Sequence, residues 1–418
     1  MKLGFSRKDI TPDFPVPMAG YFVPDRISQG VHDKLYVRAL YFEGSEKGPL
    51  LILQMDLIGL DKICLEKINQ IEKNSLICAT HTHSGFGGFF DTSHGINREL
   101  LPLLGENNPA LVEFVVTKCA EAITEAKQNS EETTIRINHG SIDGFGTNRR
   151  RVDIPYDNSV FTMEFCRDDQ KKILLYNLSC HPTVLNSENK LLSADFPGAV
   201  AGKLEAVPGG YDMVVFINGS AGDVSTRFTR QASSFEECRR YANLAAETIG
   251  EMQNGAFLPL EKAELHYHAL SLKRAVVPDP DNARDHLQKA KQDLEKLKNQ
   301  NAGTSAVRKA FSIVEGAHIN LIKAESAGSY ETSSEKTIET GILKINDVTI
   351  VCSPFELFSS LALILKKKKQ VECFGYVNCV NGYLADIDAW DNLDYEALSG
   401  DFLRGEGERY IEMVSALV

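Results

Sequence analysis

Short apolar runs alternate with amphipathic helical stretches along most of this 418-residue chain. Such alternation is typical of an α/β protein, because helices that follow strands pack back onto the sheet. The predicted strands cover residues 50–55, 76–79, 135–138, 160–165, 173–178, 213–217, 265–272, 349–352 and 372–377. The predicted helices cover residues 109–126, 196–205, 234–252 and 355–365. We therefore predict an α/β fold with mixed β-sheets flanked by helices.

One region departs from this alternation. From about residue 279 to residue 329 the sequence is polar, charged and helical, with a break at Asn301-Ala302-Gly303. This pattern predicts a helical hairpin inserted between strands and packed on the outside of the domain. We interpret residues 1–418 as a single large catalytic domain with this insert. The hairpin could act as a lid over a pocket, as a homo-oligomer surface or as a solvated decoration.

Charge and cysteine content narrow the class of protein. The formal net charge is -12 at pH 7, which argues against a nucleic-acid surface, since that requires clustered Lys and Arg. The sequence shows no signal peptide and no run of the roughly 20 apolar residues that a membrane-spanning helix needs. Nine cysteines, without a C-x-x-C pair, fit buried thiols in a reducing compartment. We expect a cytoplasmic protein.

Two histidines stand directly after an apolar strand, in the run Thr80-His81-Thr82-His83-Ser84-Gly85. Side chains two positions apart share one face of a strand, so His81 and His83 are expected to point the same way. His181 ends another apolar run in the same manner. Each could simply be a hydrogen-bonded histidine. The repeated pattern favours a metal site, and neutral imidazole suits Zn²⁺ in particular.

Other polar residues follow predicted strands in the same way. Asp223 and Ser225 lie in a loop with two glycines, where backbone N–H groups can converge on an anion or simply form a tight turn. Glu356 falls in the first turn of a predicted helix, where a carboxylate is stabilised in any case. Tyr383 follows an Asn-Gly turn and could be a packing aromatic. Because ligands collect beyond the carboxyl ends of strands, these residues together predict a hydrolytic metal site.

The ordered motifs make the chain resemble the catalytic domain of the neutral/alkaline non-lysosomal ceramidase family. Members of that family are zinc amidases that cleave the N-acyl bond of ceramide. The matching segments are Asp9-Ile10-Thr11-Pro12, Met18-Ala19-Gly20-Tyr21, Val31-His32-Asp33, Ala79-Thr80-His81-Thr82-His83-Ser84-Gly85, Asn148-Arg149, Cys180-His181-Pro182-Thr183, Ser193-Ala194-Asp195, Asn218-Gly219, Gly222-Asp223-Val224-Ser225 and Asn381-Gly382-Tyr383. They run through the whole chain in family order.

The resemblance implies a role for each matching residue. The implied zinc ligands are His81, His181, Glu356 and Tyr383. His83 would face the substrate, Arg149 would hold a polar substrate group or the developing oxyanion, and Ser225 matches the serine regarded as catalytic. The implied reaction is hydrolysis of an N-acyl amide by a zinc-activated water. The general base stays open among His83, Asp223 and Glu356.

Three features depart from the family pattern. Thr226 and Arg227 replace Pro and Asn beside the serine, and Phe355 replaces Gly beside Glu356. We also expect no counterpart of the second, β-sandwich domain, because the chain ends soon after Tyr383. These departures leave the substrate open: a lipid-like N-acyl amide, or another small cytoplasmic amide or ester. A non-catalytic descendant that binds a small ligand is the remaining alternative.

Overall fold

The structure is a computed structural model that describes residues 1–45, 47–90, 101–326, 334–378 and 380–418. Its strands are β1 (Lys2–Asp9), β2 (Gly30–Val31), β3 (Tyr36–Glu43), β4 (Leu50–Met55), β5 (Ser75–Ala79), β6 (Glu131–Ser141), β7 (Thr147–Asn148), β8 (Ser159–Arg167), β9 (Lys172–Leu178), β10 (Leu191–Leu192), β11 (Met213–Asn218), β12 (Val224–Ser225), β13 (Leu258–Pro259), β14 (Ala263–Lys273), β15 (Glu335–Ile345), β16 (Val348–Cys352), β17 (Glu356–Leu357), β18 (Glu372–Phe374) and β19 (Tyr383–Leu384). Its helices are α1 (Lys62–Ile71), α2 (Leu101–Leu104), α3 (Pro109–Gln128), α4 (Asp195–Ala206), α5 (Phe235–Met252), α6 (Pro280–Asn299), α7 (Thr304–Glu325), α8 (Ser359–Lys369), α9 (Ile387–Asp391), α10 (Tyr395–Ser399) and α11 (Glu406–Ser415). Cys379 and the last residues of the predicted hairpin, 327–329, lie outside the described residues.

Two mixed sheets form the centre of the molecule. The larger has nine strands in the order β11-β9-β8-β6-β1-β3-β4-β5, with β13 paired to β6. Its pairs β4–β5 and β11–β9 are parallel, and the pairs between them are antiparallel. The smaller sheet has the order β14-β15-β16-β18, with one parallel pair, β16–β18. The predicted α/β fold with mixed sheets is confirmed.

Both faces of each sheet are buried, which produces four layers. In β4, Leu51 and Leu53 pack toward α1 and α3, whereas Leu50 and Ile52 face the smaller sheet. Helices α4 and α5 cover the other half of the large sheet. On the smaller sheet, Val351 faces outward into a core shared with α8 and α11. The layer order is therefore helix, sheet, sheet, helix, and this double burial explains why strands such as β4, β9 and β11 are nearly continuous apolar runs.

The edge strands of the large sheet end beside each other. Asn218 closes β11, and its Nδ2 donates to the carbonyl oxygens of Thr80 at 3.4 Å and Cys180 at 3.1 Å. Thr80 and Cys180 immediately precede His81 and His181. One amide side chain thus joins the segments that carry the two histidines.

A helical hairpin, α6 and α7, is inserted in the connection between β14 and β15, which pair with each other along their full length. Asp279 caps α6 by accepting hydrogen bonds from the N–H groups of Asp281 and Asn282. Leu287 and Ala290 of α6 pack on Ala317 of α7. The helices therefore form where the sequence predicts them. None of the helices in the described ranges combines the length and apolar character that a membrane crossing requires.

The segment around Glu356 differs from the sequence-based expectation. Helix α8 begins at Ser359, so Glu356 does not lie in its first turn. It lies in β17, which pairs in parallel with β19 and sets Glu356 opposite Tyr383. The helix starts late because Glu356 N–H donates to the Gly382 carbonyl at 2.9 Å, which holds this segment extended. Stabilisation of a helix N-terminus therefore does not account for a carboxylate at position 356.

Candidate functional site

His81 and His181 present the same ring nitrogen to one point. Nδ1 of His81 lies 2.7 Å from the Ile58 carbonyl oxygen, and Nδ1 of His181 lies 2.6 Å from that of Ala221. A carbonyl only accepts, so each Nδ1 carries the proton and each Nε2 keeps its lone pair. Both Nε2 atoms face Oε2 of Glu356, at 3.3 Å and 3.0 Å. Metal-binding histidines are commonly oriented in this way.

The backbone at His81 is strained. Its φ of 68° lies in the left-handed region, which a residue with a Cβ rarely adopts. His81 N–H donates to the Leu57 carbonyl at 2.9 Å, so hydrogen bonds from both backbone and ring fix this conformation. Such strain persists where surrounding structure over-determines it, and it clusters at functional sites.

Glu356 is an ionised carboxylate in a buried setting. Burial opposes its charge, but His81 and His181, when their Nε2 atoms carry protons, hold the pKa of Glu356 well below its usual range, and a metal cation between these groups would act in the same direction. Its partner across the β17–β19 pair, Tyr383, stacks on His181 with ring centroids 6.5 Å apart. Burial raises the pKa of Tyr383 well above its usual value, so its phenol is neutral in this structure.

His83 belongs to the same cluster but is held differently. Its ring is buried, and neither Nδ1 nor Nε2 has a hydrogen-bond partner among the described residues. The ring packs 4.9 Å from that of Tyr21, and a Cβ at Gly20 would come within 2.5 Å of Nδ1. Burial and the neighbouring histidines hold the pKa of His83 well below its usual range. Its carbonyl accepts from Arg26 at 2.8 Å, which fixes the backbone while leaving the ring nitrogens free.

These side chains fit a bound metal ion. One ligand atom each from His81, His83 and His181 lie within 4.8 Å of one another, the one such group found among the described residues. Within the described part of the chain, Nε2 of His81 makes no hydrogen bond, although it faces a carboxylate oxygen. Lone pairs that converge on an anionic oxygen repel one another unless a proton or a cation lies between them. Nitrogen and oxygen ligands of this kind are those that zinc prefers.

Arg149 brings a fixed positive charge to the site. Its Nη2 donates to the Tyr383 hydroxyl at 2.9 Å, and its Nε donates to Glu396 at 2.7 Å. Arg149 is buried, and its ion pair with Glu396 offsets the free energy needed to remove its charge from water. Glu396 lies on α10, far along the sequence from the motif that contains Arg149.

Ser225 lies beside His181, with which it forms a parallel β-bridge. Its hydroxyl oxygen accepts from the Arg227 N–H at 3.2 Å, which leaves the hydroxyl hydrogen free to donate. Asp223 instead uses both carboxylate oxygens within the fold: they accept from Asn148 Nδ2 at 2.8 Å and from Ser359 N–H at 2.6 Å. Burial raises the pKa of Asp223 to about 6. Asp223 therefore caps α8 from a distant loop, whereas Ser225 keeps a donor available.

Helix α7 of the hairpin contacts the same region. Arg227 donates to the Arg149 carbonyl at 3.0 Å and to Ser312 Oγ at 3.2 Å. A Cβ at Gly316 would lie only 3.0 Å from Cα of Tyr395 on α10. Of the three roles that the sequence left open for the hairpin, simple solvated decoration does not fit these contacts.

The structure thus brings together all eight residues that the sequence singled out, and it adds two. The ring of Tyr376 lies 4.2 Å from that of His81, and its backbone has a φ of 55°. Its buried hydroxyl finds no hydrogen-bond partner in the ranges that the structure describes. Glu396 is the second addition, through its ion pair with Arg149. Tyr376 lies shortly before the Asn381-Gly382-Tyr383 motif, so proximity in sequence was a usable signal. No local signal marked Glu396, which lies in a short helix.

Comparison with known proteins places this site in a family. A sequence model described as neutral/alkaline non-lysosomal ceramidase, N-terminal, matches residues 1–257. A neutral ceramidase of Mycobacterium tuberculosis is 26% identical over 242 residues, covering 50% of this chain and 37% of that protein. Neutral ceramidase 2 of Arabidopsis thaliana is 24% identical over 256 residues, covering 54% and 31%. The matched region thus spans about a third of the length of these relatives.

Solved structures show the same fold over the whole chain. The crystal structure of neutral ceramidase from Pseudomonas aeruginosa matches with a TM-score of 0.74 at 18% identity, covering 99% of this chain and 73% of that one. A ceramidase complexed with C2 matches with a TM-score of 0.74 at 16% identity, covering 100% and 75%. The family model extends over more than half of the sequence, including His81, His83, His181 and Ser225. This chain belongs to the neutral/alkaline non-lysosomal ceramidase family.

Proposed function

We propose that this protein is a zinc-dependent amidohydrolase that cleaves an N-acyl amide into a carboxylic acid and an amine. The observation that carries the proposal is the convergence of His81 Nε2 and His181 Nε2 on Oε2 of Glu356. Membership of a family whose named members are ceramidases supports amide hydrolysis.

His81, His181, Glu356 and Tyr383 would hold the zinc ion. His81 and His181 already donate their Nδ1 protons to backbone carbonyls, which leaves Nε2 of each ring to bind the ion. Tyr383 is placed by its β-pairing with Glu356 and by Arg149, whose guanidinium donates to its hydroxyl. When bound, zinc polarises the amide carbonyl and lowers the pKa of a bound water.

His83 is our candidate for the general base. Its ring nitrogens have no hydrogen-bond partner in the described ranges, whereas both oxygens of Asp223 accept hydrogen bonds and Glu356 faces two imidazoles. In the reaction, the oxygen of water bonds to the acyl carbon and the C–N bond breaks. His83 Nε2 takes one proton from the water and returns it to the departing amine nitrogen.

Arg149 and Ser225 are the remaining residues that we expect to contact the substrate. The guanidinium of Arg149 is fixed by Glu396 and Tyr383, so it stabilises negative charge on the carbonyl oxygen without having to reorganise. The Ser225 hydroxyl donates to the substrate, because its own oxygen already accepts from the Arg227 backbone. Asp223 acts as a positioning residue, since it ties this loop to the start of α8.

The proposal is tested by incubating the zinc-loaded protein with N-acyl amides of graded chain length, including a ceramide, and measuring the released acid and amine. We expect release that a chelator abolishes and added zinc restores. The variant Ser225→Ala should lose most activity, whereas the exposed control Ser141→Ala should keep it. A folded, zinc-loaded protein that releases neither product from any amide would overturn the proposal.

A further inference from the structure

Two arginines follow Ser225 on a single turn. The N–H groups of Thr229 and Arg230 both donate to the Thr226 carbonyl, at 3.1 Å and 2.9 Å. This helical geometry directs the side chains of residues three apart, Arg227 and Arg230, to the same side. The N–H of Arg227 also donates to Ser225 Oγ at 3.2 Å, so this turn adjoins the proposed catalytic serine.

The guanidinium groups of these arginines bond only to neutral partners. Arg227 donates to the Arg149 carbonyl and to the Ser312 hydroxyl, and Arg230 donates to the Thr183 carbonyl. In the described part of the chain, neither has a carboxylate oxygen within ion-pair distance. Arg149 and Arg150, close by, are instead paired with Glu396 and Asp394 at 2.7 Å and 2.6 Å.

Such an arrangement leaves both guanidinium groups without an ion pair, because the nearby carboxylates Glu396 and Glu237 are already paired with Arg149 and Arg240. Burial, with a contribution from nearby Arg149, lowers the pKa of Arg227 to about 10, so the side chain stays charged near neutral pH. The acidic side chain facing it from α7 is Glu315, whose pKa burial raises to about 7 despite the opposing arginines. A carboxyl that is only partly ionised is a weak counter-ion. A partly buried cation without a fixed partner is costly unless a ligand supplies the missing charge.

These arginines lie near the proposed zinc ligands. Arg227 donates to the carbonyl of Arg149, whose own side chain donates to the Tyr383 hydroxyl. Arg230 donates to the carbonyl of Thr183, two residues beyond His181. The two arginines therefore border the site at which the amide would react.

We propose that Arg227 and Arg230 form a subsite for an anionic group, a carboxylate or a phosphate, on the substrate. The inference rests on the proposed amidohydrolase function and names its substrate class. The acyl tail of an N-acyl amide is apolar, so the anionic group belongs to the amine half. Arg227 determines specificity most directly, because it connects the serine loop, Arg149 and helix α7.

The test uses three substrates with one acyl chain: N-lauroylglycine, N-lauroylethanolamine and O-phospho-N-lauroylethanolamine. We expect the wild type to prefer an anionic substrate over the neutral one by about 10- to 100-fold in kcat/KM, the range of a charged hydrogen bond. Preference for the glycine conjugate identifies a carboxylate subsite, and preference for the phosphate identifies a phosphate subsite.

Variants tie the preference to the arginine. Arg227→Gln should reduce the ratio of anionic to neutral kcat/KM by about tenfold or more, and Arg227→Lys should retain part of it because the charge remains. The matched control is Arg239→Gln, an exposed arginine on α5 whose removal should leave the ratio unchanged. An equal or reversed preference in the wild type, or an unchanged ratio in Arg227→Gln, would overturn the subsite.

Binding measurements distinguish a failure of the proposed anionic subsite from a failure of the proposed amidohydrolase function. Calorimetric titration of the metal-free protein with the same three compounds measures affinity without turnover. Hydrolysis of the neutral amide with no preference for an anion contradicts the proposed subsite and supports the amidohydrolase function. Tight, Arg227-dependent binding of an anionic amide that is never hydrolysed supports the subsite and contradicts the amidohydrolase. The absence of both binding and hydrolysis contradicts both proposals.

Discussion

Oε2 of Glu356 lies 3.0 Å from Nε2 of His181, although 175 residues separate them in the sequence. Both groups come from chain segments that end or bridge strands, one beside the large sheet and the other beside the small one. The candidate site is therefore assembled where the two sheets meet, and neither sheet carries it alone.

Arg149→Lys tests the charge that stabilises the reacting carbonyl. Lysine keeps the positive charge beside Glu396 but lacks the planar fork that reaches Glu396 and the Tyr383 hydroxyl together. We expect kcat to fall by about 100-fold, comparable with the loss of an oxyanion-stabilising donor. The control is Arg151→Lys, two residues away and half exposed, which should keep wild-type kcat. Steady-state kinetics would count against the assignment if both variants behaved alike.

Gly316→Ala tests whether α7 supports the site. The new Cβ would meet the backbone of Tyr395 at 3.0 Å and push α7 away from α10, which carries Glu396. We expect a net fall in the free energy of unfolding of about 1–2 kcal/mol, because the overpacked contact costs more than the helix propensity that alanine gains, and a fall in kcat/KM with it.

Gly250→Ala is the matched control for this substitution, because nothing lies within 4 Å of the Cβ it would add in α5. Alanine there should raise the free energy of unfolding by about 0.5–1 kcal/mol, since glycine is a poor helix former. Urea titrations of both variants make the comparison. Equal effects at the two positions would show that the contact between α7 and α10 is not tight.

Asp195→Asn tests a buried carboxyl through the pH dependence of stability. Burial raises the pKa of Asp195 to about 6 from an ordinary 3.8, so folding favours the protonated form. The stability that Asp195 contributes is therefore fully present below about pH 4 and is lost as the pH rises through about 6. The free-energy advantage of wild type over the variant should shrink by up to about 3 kcal/mol across this window. Urea unfolding at both ends measures it, and a constant difference would contradict the shifted pKa.

Much of the candidate site was predictable because its residues follow strands. His81 and His181 each stand two or three residues beyond the end of a buried strand, and the parallel edge pairs carry both to one side of the molecule. Strands such as β4 and β9 were also predictable from the sequence, since both faces of the sheet are buried and their residues are therefore nearly all apolar.

Other features depended on contacts that no local pattern records. Strand β1 was missed because its sequence, KLGFSRKD, is charged and polar, yet it pairs with β3 along its full length. Glu356 was expected in a helix, but a backbone hydrogen bond to Gly382 keeps it extended. Glu396 and Ser312 join the site from distant helices, and only the tertiary fold brings them to Arg149 and Arg227.

The central claim is that His81 and His181 bind zinc while His83 does not. The direct measurement is elemental analysis of dialysed, zinc-equilibrated protein: wild type, His81→Ala, His83→Ala and His181→Ala, with circular dichroism to verify folding. We predict about one zinc per chain for wild type and His83→Ala, and loss of most zinc in the folded His81 and His181 variants. A folded wild type without zinc, or a His83→Ala variant that loses zinc as the other two do, would contradict the account.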